Sequence, residues 1–130
     1  MKAWLYDEFK HCGVDYSKAE QARIYDERHQ KFRDFRKEFT GMMDYLGMRD
    51  PEQRTVVDLG CGTGTVAAYA AEVFEVVYAV DVSEAMLEQA QIKAGGRFKN
   101  LFFVRGGFLT YEHAAAPVDL VITKAALHHL

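Results

Sequence analysis

The chain has 130 residues, enough for one domain, with 49% hydrophobic and 27% charged residues and a net charge of -3. That balance is too apolar for a disordered chain, no apolar run approaches the roughly 20 residues of a membrane span, and the basic excess of a constitutive nucleic-acid binder is missing. The opening MKAWLYDEFK has no apolar signal core, and Cys12 and Cys61 form no C-x-x-C pair, which argues against a disulfide framework or a zinc site. The expectation is a soluble, cytoplasmic protein in a reducing compartment, with no metal, membrane or nucleic-acid partner.

Residues 1–54 hold eleven Lys/Arg and eleven Asp/Glu, whereas the remainder holds five and eight. A soft boundary is expected near Asp50-Pro51, separating a helical segment, 1–54, from an alternating core, 55–130. In the first part Ser17 and Glu20 fit a capping box. Ile24, Tyr25, Phe32, Phe35, Phe39, Met42, Met43 and Leu46 then recur at helical spacing, Gly41 is a candidate break, and Gly47 suits a helix end. Lys31, Arg33, Arg36 and Lys37 are interleaved with Asp26, Glu27, Asp34 and Glu38, a pattern that predicts a solvated, salt-bridged face.

The second part alternates between two kinds of element. Strands are predicted at 55–59, 76–80, 101–104 and 118–123. Helices are predicted at 65–75, from Ser83 to about Lys93 with Gly95 ending it, and from Lys124 onward. Short, continuous apolar strands separated by helices imply a parallel sheet with right-handed crossovers.

Gly60-Cys61-Gly62-Thr63-Gly64 lies between the first strand and the helix after it. In a doubly wound sheet that is where a ligand lies, because glycines let it approach the backbone and the helix start offers unpaired N–H groups. Asp81, about twenty residues on at the end of the second strand, can accept both hydroxyls of a ribose. The dinucleotide fingerprint G-x-G-x-x-G does not fit: the third glycine comes one residue early, and Thr65 stands where Gly or Ala is wanted. An NAD-dependent dehydrogenase is therefore the weaker alternative. A non-catalytic module that binds the cofactor and dimerises is another.

VVDLGCGTG, with the Asp58 carboxylate two residues before Gly60, resembles motif I of the class I S-adenosylmethionine-dependent methyltransferases. YAVDVS followed by Met86-Leu87 resembles the second motif of that family. VRGGF resembles its adenine loop, and VDLVI with ALHHL resembles its fourth-strand motif. The likeness covers residues 55–130 and is nearest to small UbiE-like, type 11 or 25 members. It implies a Rossmann-like core with strand order 3-2-1-4, flanked by helices. That core would be an incomplete portion of a seven-stranded sheet ordered 3-2-1-4-5-7-6, preceded by an amino-terminal cap or lid.

The resemblance also implies roles. Gly60, Cys61 and Gly62 would meet the methionine moiety of S-adenosylmethionine, Asp58 would orient the loop, and Asp81 would hold the ribose. Val82 and Met86 would pack on the adenine, Lys124 would edge the methionine portion, and Tyr25, with Tyr6 and Tyr16, would belong to a lid. Gly107 stands where relatives often carry an Asp for the adenine amino group, so a backbone contact from Gly107 or Phe108 would replace that side chain. Methyl transfer to a small-molecule acceptor, leaving S-adenosylhomocysteine, is the expected activity. His128 or His129 is the candidate base, because histidine titrates near neutrality. Cys61 has no base near it in sequence and reads as a strand-end filler rather than a nucleophile. His11, His29 and His113 show no metal spacing. The fourth strand lacks edge-protecting Pro or Lys, which points to a fragment or to a homodimer across that strand.

Overall fold

The computed structural model describes residues 35–113 and 117–123. Helix α1 spans Phe35–Leu46, a one-turn 3-10 segment Pro51–Gln53 follows, and β1 is Thr55–Leu59. Then come α2 (Thr65–Ala71), β2 (Val76–Asp81), α3 (Glu84–Ala94), β3 (Leu101–Arg105) and β4 (Leu120–Ile122). The sheet has order β3-β2-β1-β4 with every pair parallel, the arrangement expected from the alternation and the family likeness.

Residue alternation along a strand separates two faces. The row Leu101, Val77, Val56 and Leu120 runs across the sheet in register. It lies in a core with Phe39 of α1, Val66, Ala67 and Ala70 of α2, and Ala94 of α3. The next row, Phe102, Tyr78, Val57 and Val121, points to the other face, and its two ends, Phe102 and Val121, are exposed. The described helices thus pack on one face. Small residues make this close packing possible: Ala67, Ala70 and Ala79 are fully buried.

Helix α1 docks on α2. Phe39 is buried and tilts against the Tyr69 ring, and Arg36 lies over that same ring while pairing with Glu72 at 3.1 Å. The charged face predicted here is therefore used partly between helices. Four details differ from the sequence expectation. Gly41 does not break α1, since its backbone stays helical and nothing stands within 4 Å of a Cβ placed there. Helix α2 stops at Ala71 rather than 75, because Asn100 Nδ2 donates to both Ala71 O and Phe74 O at 2.9 Å and the chain tightens into turns. Strands β2 and β3 each run one residue further than expected, to Asp81 and Arg105. Strand β4 is shorter than 118–123: the Asp119 N–H still donates to Thr55 O at 2.9 Å, but the Thr55 N–H is taken at 2.8 Å by the Asp119 carboxylate instead of a backbone carbonyl.

The Ser83 cap and the Gly95 stop are as expected. Ser83 Oγ accepts from Met86 N–H at 3.2 Å, and Gly95 is left-handed at φ 59°. The Ser17–Glu20 box and the helix from Lys124 lie outside the described residues. Among the described residues, no helix is long and apolar enough to cross a membrane.

Candidate cofactor site

At the carboxyl end of β1 the chain must turn sharply and start α2. Gly60, Gly62 and Gly64 take φ values of 80°, 58° and 80°, a region that side-chain-bearing residues rarely enter. Val80 O accepts from Gly60 N–H at 2.8 Å and Cys61 N–H at 2.9 Å, so the loop hangs on the end of β2. Gly64 has a second role. A Cβ there would sit 2.9 Å from Ala90 Cβ, so this glycine sets how closely the start of α2 approaches α3. The first two glycines shape the bend, and the third allows two helices to touch.

Asp81 closes the site from the neighbouring strand. Its Oδ2 accepts from Gly62 N–H at 2.8 Å and its Oδ1 from Ser83 N–H at 2.9 Å. One carboxylate therefore joins the glycine loop to the start of α3. Burial raises its pKa above the ordinary 3.8, against the downward pull of the backbone hydrogen bonds from Ser83, Gly62 and Val82. A carboxylate offers about four lone-pair sites. Gly62 draws on Oδ2 and Ser83 on Oδ1, with Val82 exerting the smallest of the three pulls, so acceptor capacity remains for hydroxyl donors.

Asp58 lies beneath the loop at 3% exposure. The residue is engaged by other contacts, while its Oδ2 atom is buried without a protein hydrogen bond. Cys61 packs against the core, and its Sγ lies 3.5 Å from Gly62 O. Burial, reinforced by the Asp81 and Asp58 carboxylates, pushes its thiol well above the ordinary value. It stays protonated at neutral pH and is no nucleophile.

Beyond Asp81, Val82 is half-buried and Met86 is 3% exposed, so Met86 forms the floor and offers little open surface. The turn after β3 is fastened here as well, Gly106 N–H donating to Asp81 O at 3.0 Å. Gly107 is fully used inside this turn. Its N–H donates to Thr110 Oγ1 at 3.0 Å, and its carbonyl accepts from Tyr111 N–H at 2.9 Å and Thr110 N–H at 3.3 Å. That leaves the half-buried Phe108, rather than Gly107, as the group on this turn able to make a new backbone contact.

The structure therefore brings together Asp58, Gly60, Cys61, Gly62, Asp81, Val82, Met86, Gly107 and Phe108 at the carboxyl end of the strands. Tyr25, Lys124, His128 and His129 lie outside the described residues. Sequence reading missed the bond from Gly62 to Asp81, although an acid at a strand end beside a glycine loop is a signal that could have suggested it. It also gave His113 no role, whereas the structure seats that ring edge-on against Tyr78. Among the described residues no group of three or more His, Cys, Asp or Glu is placed to hold a metal ion.

Comparison with known proteins gives a consistent result. The family described as a methyltransferase domain matches residues 56–130. An uncharacterized methyltransferase of Geobacillus sp. (strain WCH70) is 29% identical over 113 residues, 85% of this chain and 52% of the relative. An uncharacterized methyltransferase of Mycobacterium bovis is 38% identical over 77 residues, 58% of this chain and 37% of the relative. The chain thus spans about half the length, or less, of these relatives. Among solved structures, a candidate S-adenosyl-L-methionine-dependent methyltransferase from Methanococcus maripaludis has the same fold at TM-score 0.73 and 16% identity, over 93% of this chain and 56% of that one. An amino pentose methyltransferase from Micromonospora echinaspora, solved with SAM bound, superposes at TM-score 0.66 and 22% identity, over 78% and 41%.

Proposed function

This chain belongs to the class I S-adenosylmethionine-dependent methyltransferases, and from that premise we propose that it transfers a methyl group to a small-molecule acceptor by in-line displacement. S-adenosylmethionine is the cofactor and S-adenosylhomocysteine its spent form. One observation carries the reading: a partly buried carboxylate, Asp81, stands against a bend of positive-φ glycines and is tied to it by the Gly62 N–H. The bend suits a ligand that must approach bare backbone, and the carboxylate keeps acceptor capacity for hydroxyl donors.

In this reading Asp81 binds the ribose. Gly60, Cys61 and Gly62 present backbone to the methionine portion, over Asp58. Val82, Met86 and the turn at Gly107 and Phe108 enclose the purine, with Phe108 making the backbone contact. Lys124 edges the methionine portion, and Tyr25 belongs to a covering segment. When bound, S-adenosylmethionine supplies a methyl group already activated on a sulfonium. The protein's part is to orient the acceptor in line with it and to keep water out, which can contribute several kcal/mol. His128 or His129 accepts the acceptor's proton where the acceptor must lose one.

A small acceptor is favoured by the net charge of -3, which gives no general attraction for nucleic acid. The amino pentose methyltransferase among the structural neighbours acts on such a molecule. The test is to incubate the chain with methyl-labelled S-adenosylmethionine and a panel of small amines, alcohols and phenols. Transfer of label to one acceptor class, lost in Asp81→Ala, supports the proposal. Label that never leaves the donor with any of them contradicts it.

A further inference from the structure

The turn 106–111 is tied to β2 by the bond from Gly106 N–H to Asp81 O. Bonds at Gly107 close the turn on itself. A second tie runs through side chains. Tyr111, whose N–H holds Gly107 O, has its hydroxyl 2.7 Å from His113 Nδ1. The His113 ring stands edge-on to Tyr78 in the middle of β2, with centroids 5.0 Å apart and planes at 85°. Tyr78 is stacked in turn on Phe102 of β3 at 5.5 Å. The turn beside Asp81 is thereby braced against the sheet at Tyr78, three positions before Asp81 on β2.

We propose that Tyr111 and His113 are a positioning pair that holds the turn 106–111 against β2 and so sets the affinity of the nucleoside end of the cofactor. The inference rests on the cofactor reading above. Neither side chain need touch the ligand. The Tyr111 main chain also lies close to Gly106, where a Cβ would be 3.4 Å from Tyr111 Cα and Cβ. The hydroxyl bond thus acts through the Tyr111 backbone, whose N–H holds Gly107 O, next to the Gly106 that is bonded to Asp81. Burial, and then the neighbouring Tyr78, raises the Tyr111 hydroxyl above its ordinary value, so the hydroxyl stays neutral. The hydroxyl and Nδ1 share one hydrogen bond, whose direction follows the His113 tautomer.

The pair makes a specific test possible, because two substitutions of His113 separate its two contacts. His113→Asn keeps a hydrogen-bonding group near Nδ1 and gives up the ring. His113→Phe keeps a ring against Tyr78 and gives up the hydrogen bond. Tyr111→Phe removes only the hydroxyl. Dissociation constants for S-adenosylhomocysteine and for methylthioadenosine, which retains the nucleoside end alone, are measured by calorimetry on the whole chain, with the thermal midpoint recorded in parallel. Tyr111→Phe and His113→Phe are expected to weaken both ligands by the same factor, about fivefold, as fits loss of one ordinary hydrogen bond. His113→Asn is expected to stay within about twofold of the native chain. Unchanged affinity in Tyr111→Phe, or His113→Asn as impaired as His113→Phe, overturns the positioning role. A lower midpoint with unchanged affinity likewise assigns the pair to stability alone and overturns it. Failure of the native chain to bind either ligand removes the cofactor reading itself, and this inference with it.

Discussion

Asp81 answers to two opposed demands. Desolvation favours its protonated form, while the N–H groups of Ser83 and Gly62 favour the carboxylate. The balance leaves the folded value above 3.8. A carboxyl raised in this way stabilises the fold below its unfolded value, and that contribution is lost as pH rises through the folded value. In the proposed ribose-binding role the sign is opposite, because the ribose hydroxyls would donate to the ionised group. S-adenosylhomocysteine affinity should therefore be flat near neutrality. It should fall as pH drops through a window lying above that of an ordinary aspartate, and this pH-dependent loss should be absent in Asp81→Asn, whose amide does not titrate. Titrations across a pH series check this, and an affinity constant into the ordinary aspartate range would count against Asp81 as the ribose acceptor. Cys61 illustrates the converse: burial, and then the Asp81 and Asp58 carboxylates, hold its thiol well above the ordinary value and so protonated at neutral pH.

Two glycines that look alike in sequence differ at the scale of elements. Gly64 joins the bend to α2 at φ 80°, with Ala90 Cβ 2.9 Å from where its own Cβ would be. Gly64→Ala should therefore destabilise the chain by about 2–4 kcal/mol, the sum of left-handed strain and a helix–helix clash. Gly64→Ala combined with Ala90→Gly should recover the clash but not the strain. Gly41, mid-helix in α1 with open space around it, behaves oppositely. Gly41→Ala should stabilise by about 0.5–1 kcal/mol. Urea unfolding measures both. The contrast shows where sequence reading runs out. Ser83, Gly95 and the strand–bend–strand order at Gly60 and Asp81 are local signals, legible from neighbouring residues. The Gly64–Ala90 contact, the Asp119–Thr55 bond across 64 positions and the Tyr111–His113–Tyr78 brace depend on how finished elements pack. The length of α2 was misjudged for the same reason, since its end is capped by Asn100 from a distant turn.

For the molecule as a whole, the sheet has one face under helices and one bearing Tyr78, Phe102 and Val121. Strand β4 has no further strand beside it among the described residues. Pairing of two copies along β4 is one of the two alternatives that the unprotected sequence of this strand raises. Light scattering during size exclusion should then give twice the 14.8 kDa chain mass, and a monomer at every concentration would refute the pairing. The cofactor assignment stands independently of that result, since its described residues come from β1, β2, α3 and the turns that follow β1, β2 and β3. It is tested most directly by calorimetric titration of the folded chain with S-adenosylhomocysteine, alongside Asp81→Ala. The account predicts saturable binding at one site, weakened more than tenfold by the substitution, as fits loss of charge-assisted bonds worth about 1.5–3 kcal/mol. Absence of binding to the folded native chain, or equal affinity in the variant, would contradict it.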